Sequence, residues 1–447
     1  MGHKIRSLTY PQLVVLGYLV IITMGTVLLS FPMATRSNVS VGFVDALFTA
    51  TSATCVTGLV VYDTFTHWSL FGQIVIMTLI QIGGLGFMAV ITMFSFFLRR
   101  RIGLKERGLL RESVNSMYLG GVVLLIKRLL IGTFLFEGFG AVILSARFIP
   151  QMGLTTGIYN GIFHSVSAFN NAGFDLMGKY GKYSSLISYA GDPVVTLTIM
   201  GLIIVGGIGF FVWDDILKHR HRFKEYQLHT KIVFAITSFL ITWGAIVFFL
   251  FERTNLLNGL PFGEKILVSL FSAVTPRTAG FSVVDMGVSL PGTRLLTMIL
   301  MFIGGSPGST AGGIKTTTFA ALVISAWSSL KNTKGDSVFG RQLEESALRR
   351  ANTVVVINLT LVLVSSLVIS ATKPVLPLGD AVLETVSALS TVGLSTGITG
   401  SLGIIGQLML ILLMYTGRVG SISLALLFMQ HRMPVSIQKP TEKIIIG

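Results

Sequence analysis

The chain has 447 residues, of which 52% are hydrophobic and only 12% are charged. A soluble domain carries about 25% charged residues, so this composition, with a mean hydropathy of +0.77, excludes a soluble protein and predicts one embedded in a bilayer. The single cysteine, Cys55, excludes an internal disulfide. The seven histidines have no metal-site spacing, and no Ser/His/Asp arrangement is indicated.

The net charge is +15, from 34 Lys and Arg against 19 Asp and Glu. In a soluble protein this excess would raise nucleic acid as a partner. Here the basic residues gather between apolar runs, at Lys4 and Arg6, 99–111 with Lys127 and Arg128, 218–231, 331–350 and 432–443. Because the intervening loops are poorer in Lys and Arg, the positive-inside rule places both termini and three basic loops in the cytoplasm. We therefore expect a multi-pass protein with an even number of spans, in contact with membrane lipid, and no nucleic acid partner.

Long and short apolar segments alternate along the chain. Residues 13–29 form the first predicted span, residues 43–53 are too few to cross a bilayer, and residues 68–98 span back. This order recurs, so we expect four tandem units of span, short pore helix, turn and returning span. In that order, the second unit is predicted at 122–148, 160–169, 170–173 and 193–217. The third is predicted at 232–251, 264–274, 277–280 and 295–327. The fourth is predicted at 354–372, 380–389, 391–393 and 404–429.

The units divide the chain into residues 1–111, 112–228, 229–345 and 346–447, the last with a cytoplasmic tail. The short helices are expected to be capped by Asp45, Asn160, Glu264 and Asp380. Each returning span carries a glycine cluster, at 83–86, 206–209, 304–308 and 417–420. The repeat period of roughly 110 residues exceeds that of solenoids. The sequence thus predicts an all-α integral membrane protein with eight spans and four pore helices, arranged with pseudo-fourfold symmetry around a central pore by parallel repeats.

A glycine followed by a large apolar residue ends the stretch after each short helix. Non-helical backbone at membrane depth persists only inside protein or along a watery path, and the negative end of a helix favours cations. Rings of backbone carbonyls replace the hydration shell of K⁺ in potassium channels. We therefore predict that backbone carbonyls at Gly58, Gly173, Gly280 and Gly393 coordinate a monovalent cation, although one such stretch alone would fit an ordinary turn. The residues predicted to line this site are Val56, Thr57, Gly58, Asn171, Ala172, Gly173, Thr278, Ala279, Gly280, Thr391, Val392 and Gly393.

These motifs resemble the Trk/Ktr/HKT superfamily of cation transporters, and in particular the KtrB-type membrane subunits of bacterial Ktr potassium uptake systems. The resemblance covers essentially the whole chain and is most specific at residues 275–281, 304–313 and 415–421. It implies that the residues predicted to line the cation site form a selectivity filter with K⁺ at Gly58, Gly173, Gly280 and Gly393. Plant relatives that transport sodium have Ser at the first filter position, so Gly58 resembles the potassium-selective pattern.

The resemblance also implies partners and a location. It implies a homodimer in the plasma membrane of a bacterium, and a cytosolic ring of KtrA-type nucleotide-binding (RCK) subunits as the regulator. K⁺ is the implied transported ion, Na⁺ activation stays open, and no organic cofactor is implied for this chain. Since the chain shows no nucleotide site, control by a nucleotide would act through the partner.

Residues 304–313 interrupt the third returning span, because each Gly lowers helix propensity by about 1 kcal/mol and Pro by about 3 kcal/mol. In the family the matching segment is an intramembrane gate under the filter; the alternative is a closely packed kinked helix. A phosphate-binding loop is disfavoured, since Ile314 separates Gly313 from Lys315 and no strand pattern precedes it. The predicted gate residues are Gly304, Gly305, Ser306, Pro307, Gly308, Gly312, Gly313, Lys315 and Arg418.

Two arginines belong to this prediction. Arg418 lies well inside the last predicted span, where a charge costs about 2.5–3.5 kcal/mol on insertion scales and usually marks function. The resemblance places it near the pore, where it would lower cation occupancy and hold the loop shut. Pairing with an acid such as Glu137 is the alternative. Arg277, beside the third filter glycine, is predicted to anchor the filter through its five donors.

The sequence thus predicts potassium uptake and no enzyme. One alternative is a Na⁺-coupled or Na⁺-conducting cation symporter of the same superfamily. A symporter for another solute is disfavoured by the parallel repeats and the few membrane acids. A polytopic enzyme would need a His/Asp/Glu or metal constellation that the sequence does not show, and a purely structural subunit is the last alternative.

Overall fold

The computed structural model describes residues 10–86, 89, 92, 122–331 and 335–421. Its helices follow one another in four groups of similar order, which we number from the N-terminus. The basic segments predicted at Lys4 and Arg6, at 99–111 and at 432–443 lie outside the described residues.

The first group contains α1 (Tyr10–Ser30), α2 (Phe43–Thr54), α3 (Thr64–His67) and α4 (Leu70–Leu85). The second contains α5 (Val122–Met152), α6 (Leu154–Phe169), α7 (Pro193–Gly207) and α8 (Phe210–His219). The third contains α9 (Leu228–Glu252), α10 (Phe262–Val274), α11 (Pro291–Phe302) and α12 (Thr316–Leu330). An antiparallel hairpin of β1 (Ser337–Val338) and β2 (Arg341–Gln342) leads to the fourth group, which contains α13 (Glu345–Thr372), α14 (Leu378–Leu389) and α15 (Gly403–Val419). Short 3₁₀ turns lie at Pro32–Ala34, Met177–Lys179, Ile187–Tyr189, Phe223–Glu225 and Thr399–Ser401.

The first helix of each group (α1, α5, α9 and α13) is long and apolar enough to cross a membrane. Their outward faces carry apolar side chains; on α5, Leu135, Phe139 and Val142 are all exposed. A helix of a soluble protein would turn polar residues outward. The exposed apolar face therefore indicates contact with lipid, and the predicted class of all-α integral membrane protein is confirmed.

The returning half of each group contains helix ends inside the predicted spans. In the predicted returning spans 68–98, 193–217 and 404–429, helices end at Leu85, Gly207 and Val419; most of residues 87–98 and residues 422–429 lie outside the described residues. Helices α7 and α8 are bent by 91° relative to each other. Helices α4 and α15 have 16 and 17 residues, which is about 25 Å of helix against a hydrocarbon core of about 30 Å. The third returning segment is interrupted between α11 and α12, as predicted.

The last glycine of three clusters explains these stops. Gly86, Gly209 and Gly420 have φ angles of 82°, 98° and 96°. Glycine takes this left-handed region without the strain that a Cβ would cause, and helices commonly end at such a residue. The final glycine of each cluster is therefore a helix-stop signal as well as a repeat marker.

The short helices α2, α6, α10 and α14 lie at the centre of the molecule. Each packs against the returning helix of the preceding group: α6 against α4, α10 against α7, α14 against α11, and α2 against α15. These contacts close the four groups into a ring, in chain order. Large side chains of the short helices, such as Phe48, Phe163 and Phe271, are fully buried there.

The predicted caps of the short helices are wrong. Gly or Pro precedes each of these helices, without a side-chain cap. Asp45, Glu264 and Asp380 lie in the first turn, where the helix dipole favours an acid, and Asp380 also pairs with Arg294 at 2.8 Å. Asn160 lies deeper in α6, because that helix already begins at Leu154.

Candidate ion-binding site and gate loop

The four predicted filter glycines lie in a closed ring. Each glycine lies against a backbone carbonyl oxygen of the next group. That oxygen belongs to the residue directly before the next group's filter glycine. A Cβ built on Gly58 would lie 2.4 Å from the oxygen of Ala172, one on Gly173 2.7 Å from that of Ala279, one on Gly280 2.4 Å from that of Val392, and one on Gly393 2.3 Å from that of Thr57. Any side chain would therefore overlap backbone at all four positions, which explains why glycine recurs there.

The same backbone shape recurs in all four filter segments. The glycines have φ between 70° and 95°. Two residues earlier, Val56, Asn171, Thr278 and Thr391 have φ between 51° and 68°. Positive φ is rare for non-glycine residues, above all β-branched ones, and costs about 1–3 kcal/mol per residue. The surrounding structure must hold these segments in place.

Hydroxyl groups near the end of each pore helix supply part of that support. The Oγ atoms of Ser52 and Ser387 accept hydrogen bonds from the backbone N–H groups of Gly58 (3.1 Å) and Gly393 (3.0 Å). In the other two groups the hydroxyl donates to the carbonyl after the glycine, from Ser167 to Phe174 (2.7 Å) and from Thr275 to Phe281 (2.5 Å). The hydroxyl before each filter glycine therefore ties the filter segment to its own pore helix.

The backbone carbonyls of the twelve predicted filter residues accept no hydrogen bond from any residue within the described ranges. Buried carbonyls are almost always paired with a donor. The helices α2, α6, α10 and α14 are separated from these segments by one to three residues, so their partly negative ends lie close to them. Unpaired carbonyl oxygens beside four helix C-termini suit a dehydrated monovalent cation.

The first glycine of three clusters lies against the end of a pore helix. A Cβ built on Gly83 would lie 1.9 Å from the oxygen of Thr54, one on Gly206 2.0 Å from that of Phe169, and one on Gly417 1.9 Å from that of Leu389. This contact lets the returning helix approach the last carbonyl of the pore helix, two residues before each of these three filter segments. The first glycine therefore sets the distance between helix and filter, and the last glycine ends the helix.

The predicted gate segment, residues 304–313, is a loop and not a kinked helix. A Cβ on Gly312 would lie 1.9 Å from the Thr391 Oγ1 atom, so the loop touches the fourth filter segment. The loop is also tied to the end of α7, where the Ser306 N–H donates to the Gly207 carbonyl at 3.0 Å. It therefore bridges the second and fourth groups.

The other predicted gate residues belong to the same loop or follow it directly. The Lys315 Nζ group folds back and donates to the carbonyls of Ala311 (2.7 Å) and Gly312 (3.3 Å). The Gly308 carbonyl accepts from the Phe210 N–H at 2.7 Å. Gly304, Gly305, Pro307 and Gly313 complete the loop. A cavity of about 460 Å³ adjoins it, lined by Lys315 and Arg418 among other residues.

Arg418 joins this loop to the first group. Its Nη1 donates to the Thr310 carbonyl, and its Nη2 donates to the carbonyls of Gly83 and Gly84, the latter at 3.2 Å. No carboxylate within the described ranges forms an ion pair with it. The alternative pairing with Glu137 is wrong, because the Glu137 carboxylate binds other groups.

Arg277 is buried beside the third filter glycine. Its Nη2 donates to the Thr237 hydroxyl on α9 at 3.3 Å, and its backbone carbonyl accepts from Asn171 Nδ2 at 3.3 Å. Its Nη1 has no hydrogen-bond partner among the residues that the structure describes. The guanidinium thus ties the third filter segment to α9 with fewer of its donors than predicted.

The sequence reasoning missed a buried polar group behind the second filter segment. Gln81 on α4, Glu137 on α5 and Asn170 at the end of α6 hydrogen-bond to one another. Each of the three is a polar residue inside an apolar segment, and this was the only sequence feature that could have drawn attention to it. Whether the three side chains come into contact depends on how three helices pack, which cannot be read from their spacing along the chain.

Comparisons with known proteins point to cation transporters. Residues 10–437 match the TrkH family, described as cation transport protein. The chain is 40% identical to the potassium/sodium uptake protein NtpJ of Enterococcus hirae, covering 100% of this chain and 99% of the relative. It is 41% identical to the Ktr system potassium uptake protein B of Bacillus subtilis, covering 98% and 97%. The solved structure of the potassium transporter TrkH from Vibrio parahaemolyticus aligns with a TM-score of 0.74 at 19% identity, over 96% of this chain and 87% of that one.

Proposed function

The chain belongs to the TrkH family of cation transport proteins, and from this premise we propose that it is the ion-translocating subunit of a potassium uptake system. The family consists of transporters, so the chain is not an enzyme. The single observation that carries the proposal is the ring of four filter segments whose backbone carbonyls have no donor among the described residues. Two relatives that match nearly the whole chain are named for potassium uptake.

In this proposal, K⁺ sheds water and binds the carbonyl oxygens near Gly58, Gly173, Gly280 and Gly393. Because each carbonyl is uncharged and four groups share the ion, binding is favourable yet weak enough for release. Flux follows the electrochemical gradient. An inside-negative potential favours entry by about 2.3 kcal/mol per charge per 100 mV.

We further propose that the loop 304–313 is the gate. It touches Thr391 of the filter, and Arg418 fixes its Thr310 carbonyl to the end of α4. A guanidinium there repels cations and holds the loop in a closed position. Opening would require these hydrogen bonds to break or move together.

The regulation that we propose comes from outside this chain. A relative named as a part of a Ktr system suggests a partner, and we propose a homodimer that binds a cytosolic ring of nucleotide-binding RCK subunits. Both termini would face the cytoplasm, as the positive-inside pattern favours.

Sodium is the second candidate ion. It is favoured by one specific observation, the potassium/sodium name of the relative from Enterococcus hirae. Na⁺ would then either accompany K⁺ or replace it in the same filter. Competition between the two ions separates these cases from pure potassium uptake.

The test is ⁸⁶Rb⁺ uptake in a bacterial strain without its own potassium uptake systems, with and without an RCK partner. Gly58→Ser should weaken the preference for Rb⁺ over Na⁺, because its Cβ would lie 2.4 Å from the Ala172 oxygen at a φ of 89°. Unchanged uptake and unchanged Na⁺ competition in a correctly folded Gly58→Ser protein would refute the filter assignment.

A further inference from the structure

A buried carboxylate lies behind the second filter segment. Glu137 is only 5% exposed. Its Oε1 accepts a hydrogen bond from Asn170 Nδ2 at 2.8 Å, and its Oε2 accepts one from Gln81 Nε2 at 3.1 Å. Within the described ranges, no Lys, Arg or His forms an ion pair with it. A buried charge without a partner is costly. Either a nearby cation or a bound proton would offset this cost for Glu137.

The carboxylate is linked to the filter through one side chain. Asn170 directly follows α6 and directly precedes the filter residue Asn171. Besides Glu137, its Nδ2 also donates to Gln81 Oε1 at 2.9 Å and to the Val166 carbonyl at 2.9 Å. A movement of Glu137 would therefore move the point at which the filter segment leaves its pore helix.

This arrangement exists in one quarter of the ring. The residues three positions before the filter glycines are Cys55, Asn170, Arg277 and Ser390. Among the hydrogen bonds between described residues, only that of Asn170 connects this position to a carboxylate. The four filter segments thus share one backbone shape but differ in the charges around them. The acid Glu137 lies behind the second segment, and Arg277 lies beside the third.

We propose that Glu137 is a positioning residue of the filter that also supplies negative charge to it, and that it sets the affinity for the monovalent cation. This inference rests on the proposed filter. In the poorly polarisable interior the carboxylate attracts a cation held by the nearby carbonyls more strongly than it would in water. The same cation offsets the cost of burying the carboxylate.

The test replaces Glu137 by its neutral isostere. In ⁸⁶Rb⁺ uptake, Glu137→Gln should raise the half-saturating Rb⁺ concentration about tenfold, equivalent to ~1.4 kcal/mol, with a maximal rate per folded protein close to that of the wild type. Asn170→Ala should raise it similarly, because it removes the link to the filter while the acid stays. Should Glu137→Gln not fold, Asn170→Ala decides the question.

The matched control is Glu252→Gln. Glu252 is also fully buried, on the corresponding helix of the third group. It accepts from the Leu290 N–H (2.9 Å) and the Thr293 hydroxyl (2.5 Å), and hydrogen-bonds to no filter residue. This variant should leave the half-saturating concentration unchanged, whatever its effect on the amount of folded protein.

Three results decide between the explanations. A rise in half-saturation for Glu137→Gln and not for Glu252→Gln supports the inference. An unchanged value in both, while Gly58→Ser alters Na⁺ competition, overturns the role of Glu137 and leaves the filter intact. No effect from any of the three variants would refute the filter itself.

Discussion

The contact between a returning helix and a pore helix can be tested on one helix with two alanines. A Cβ on Gly206 would lie 2.0 Å from the Phe169 carbonyl oxygen. Real Cβ atoms essentially never come closer than 3.0 Å to such an atom, so Gly206→Ala must move the end of α6 and α7 apart by about 1 Å. Forced packing of this kind costs about 1–3 kcal/mol.

That cost falls on Phe169, the last residue of α6, which lies two residues before the second filter segment. An energy of about 1–3 kcal/mol reduces the population of correctly arranged filter by about 5- to 150-fold. We therefore expect Gly206→Ala to lower ⁸⁶Rb⁺ uptake by a factor in this range, and to lower the melting temperature of the purified protein. Gly83→Ala and Gly417→Ala should act in the same way, since their Cβ atoms would meet carbonyls at 1.9 Å.

Gly201→Ala is the control on the same helix. A Cβ at Gly201 would meet nothing within 4 Å, and alanine is the better helix former. This variant should match the wild type in uptake and stability. Wild-type uptake by a folded Gly206→Ala protein would show that the close approach of α7 to α6 does not set the filter geometry.

Two further predictions concern the gate and the single cysteine. Arg418→Ala should raise ⁸⁶Rb⁺ uptake, because it removes a positive charge and the hydrogen bonds to Thr310, Gly83 and Gly84. Uptake by Arg418→Lys should lie between that of the wild type and that of Arg418→Ala. Equal uptake by the wild type and both variants would contradict the proposed gate. Cys55, which is fully buried at the end of α2, should react with a fluorogenic maleimide only as the protein melts. Rapid labelling of the native protein would place this thiol on an open surface instead.

The repeat explains why so much of this architecture could be predicted from sequence. A glycine followed by a large apolar residue marks a local backbone shape, and four copies in register predict a shared site even where a single copy would not. The long first helices and the short pore helices follow from hydrophobic length alone. Local signals of this kind need no knowledge of which groups are neighbours.

The details that the sequence did not supply have a common physical cause. The apolar composition of the returning spans continues past Gly86, Gly209 and Gly420, so composition gives no sign of the helix ends that the positive φ of these residues produces. Arg418 does not pair with Glu137, because the guanidinium donates to backbone carbonyls while the carboxylate accepts from Gln81 and Asn170. Composition reports what an element prefers, and tertiary packing decides which neighbours it meets.

Four copies in a single chain also allow the proposed filter and the proposed gate to differ in symmetry. Because the proposed filter needs carbonyls at the same depth in every quarter, the backbone shape and the glycine are repeated in each. The side chains around them are free to differ, since each quarter has its own sequence. Gly84 and Gly207 occupy the second place of their clusters, whereas the fourth group has Arg418 there and reaches the loop of the third group. A tetramer of identical chains would have to carry that arginine four times, and a single bound cation would then face four like charges. One asymmetric chain places one arginine against one loop and leaves the ring of carbonyls unchanged.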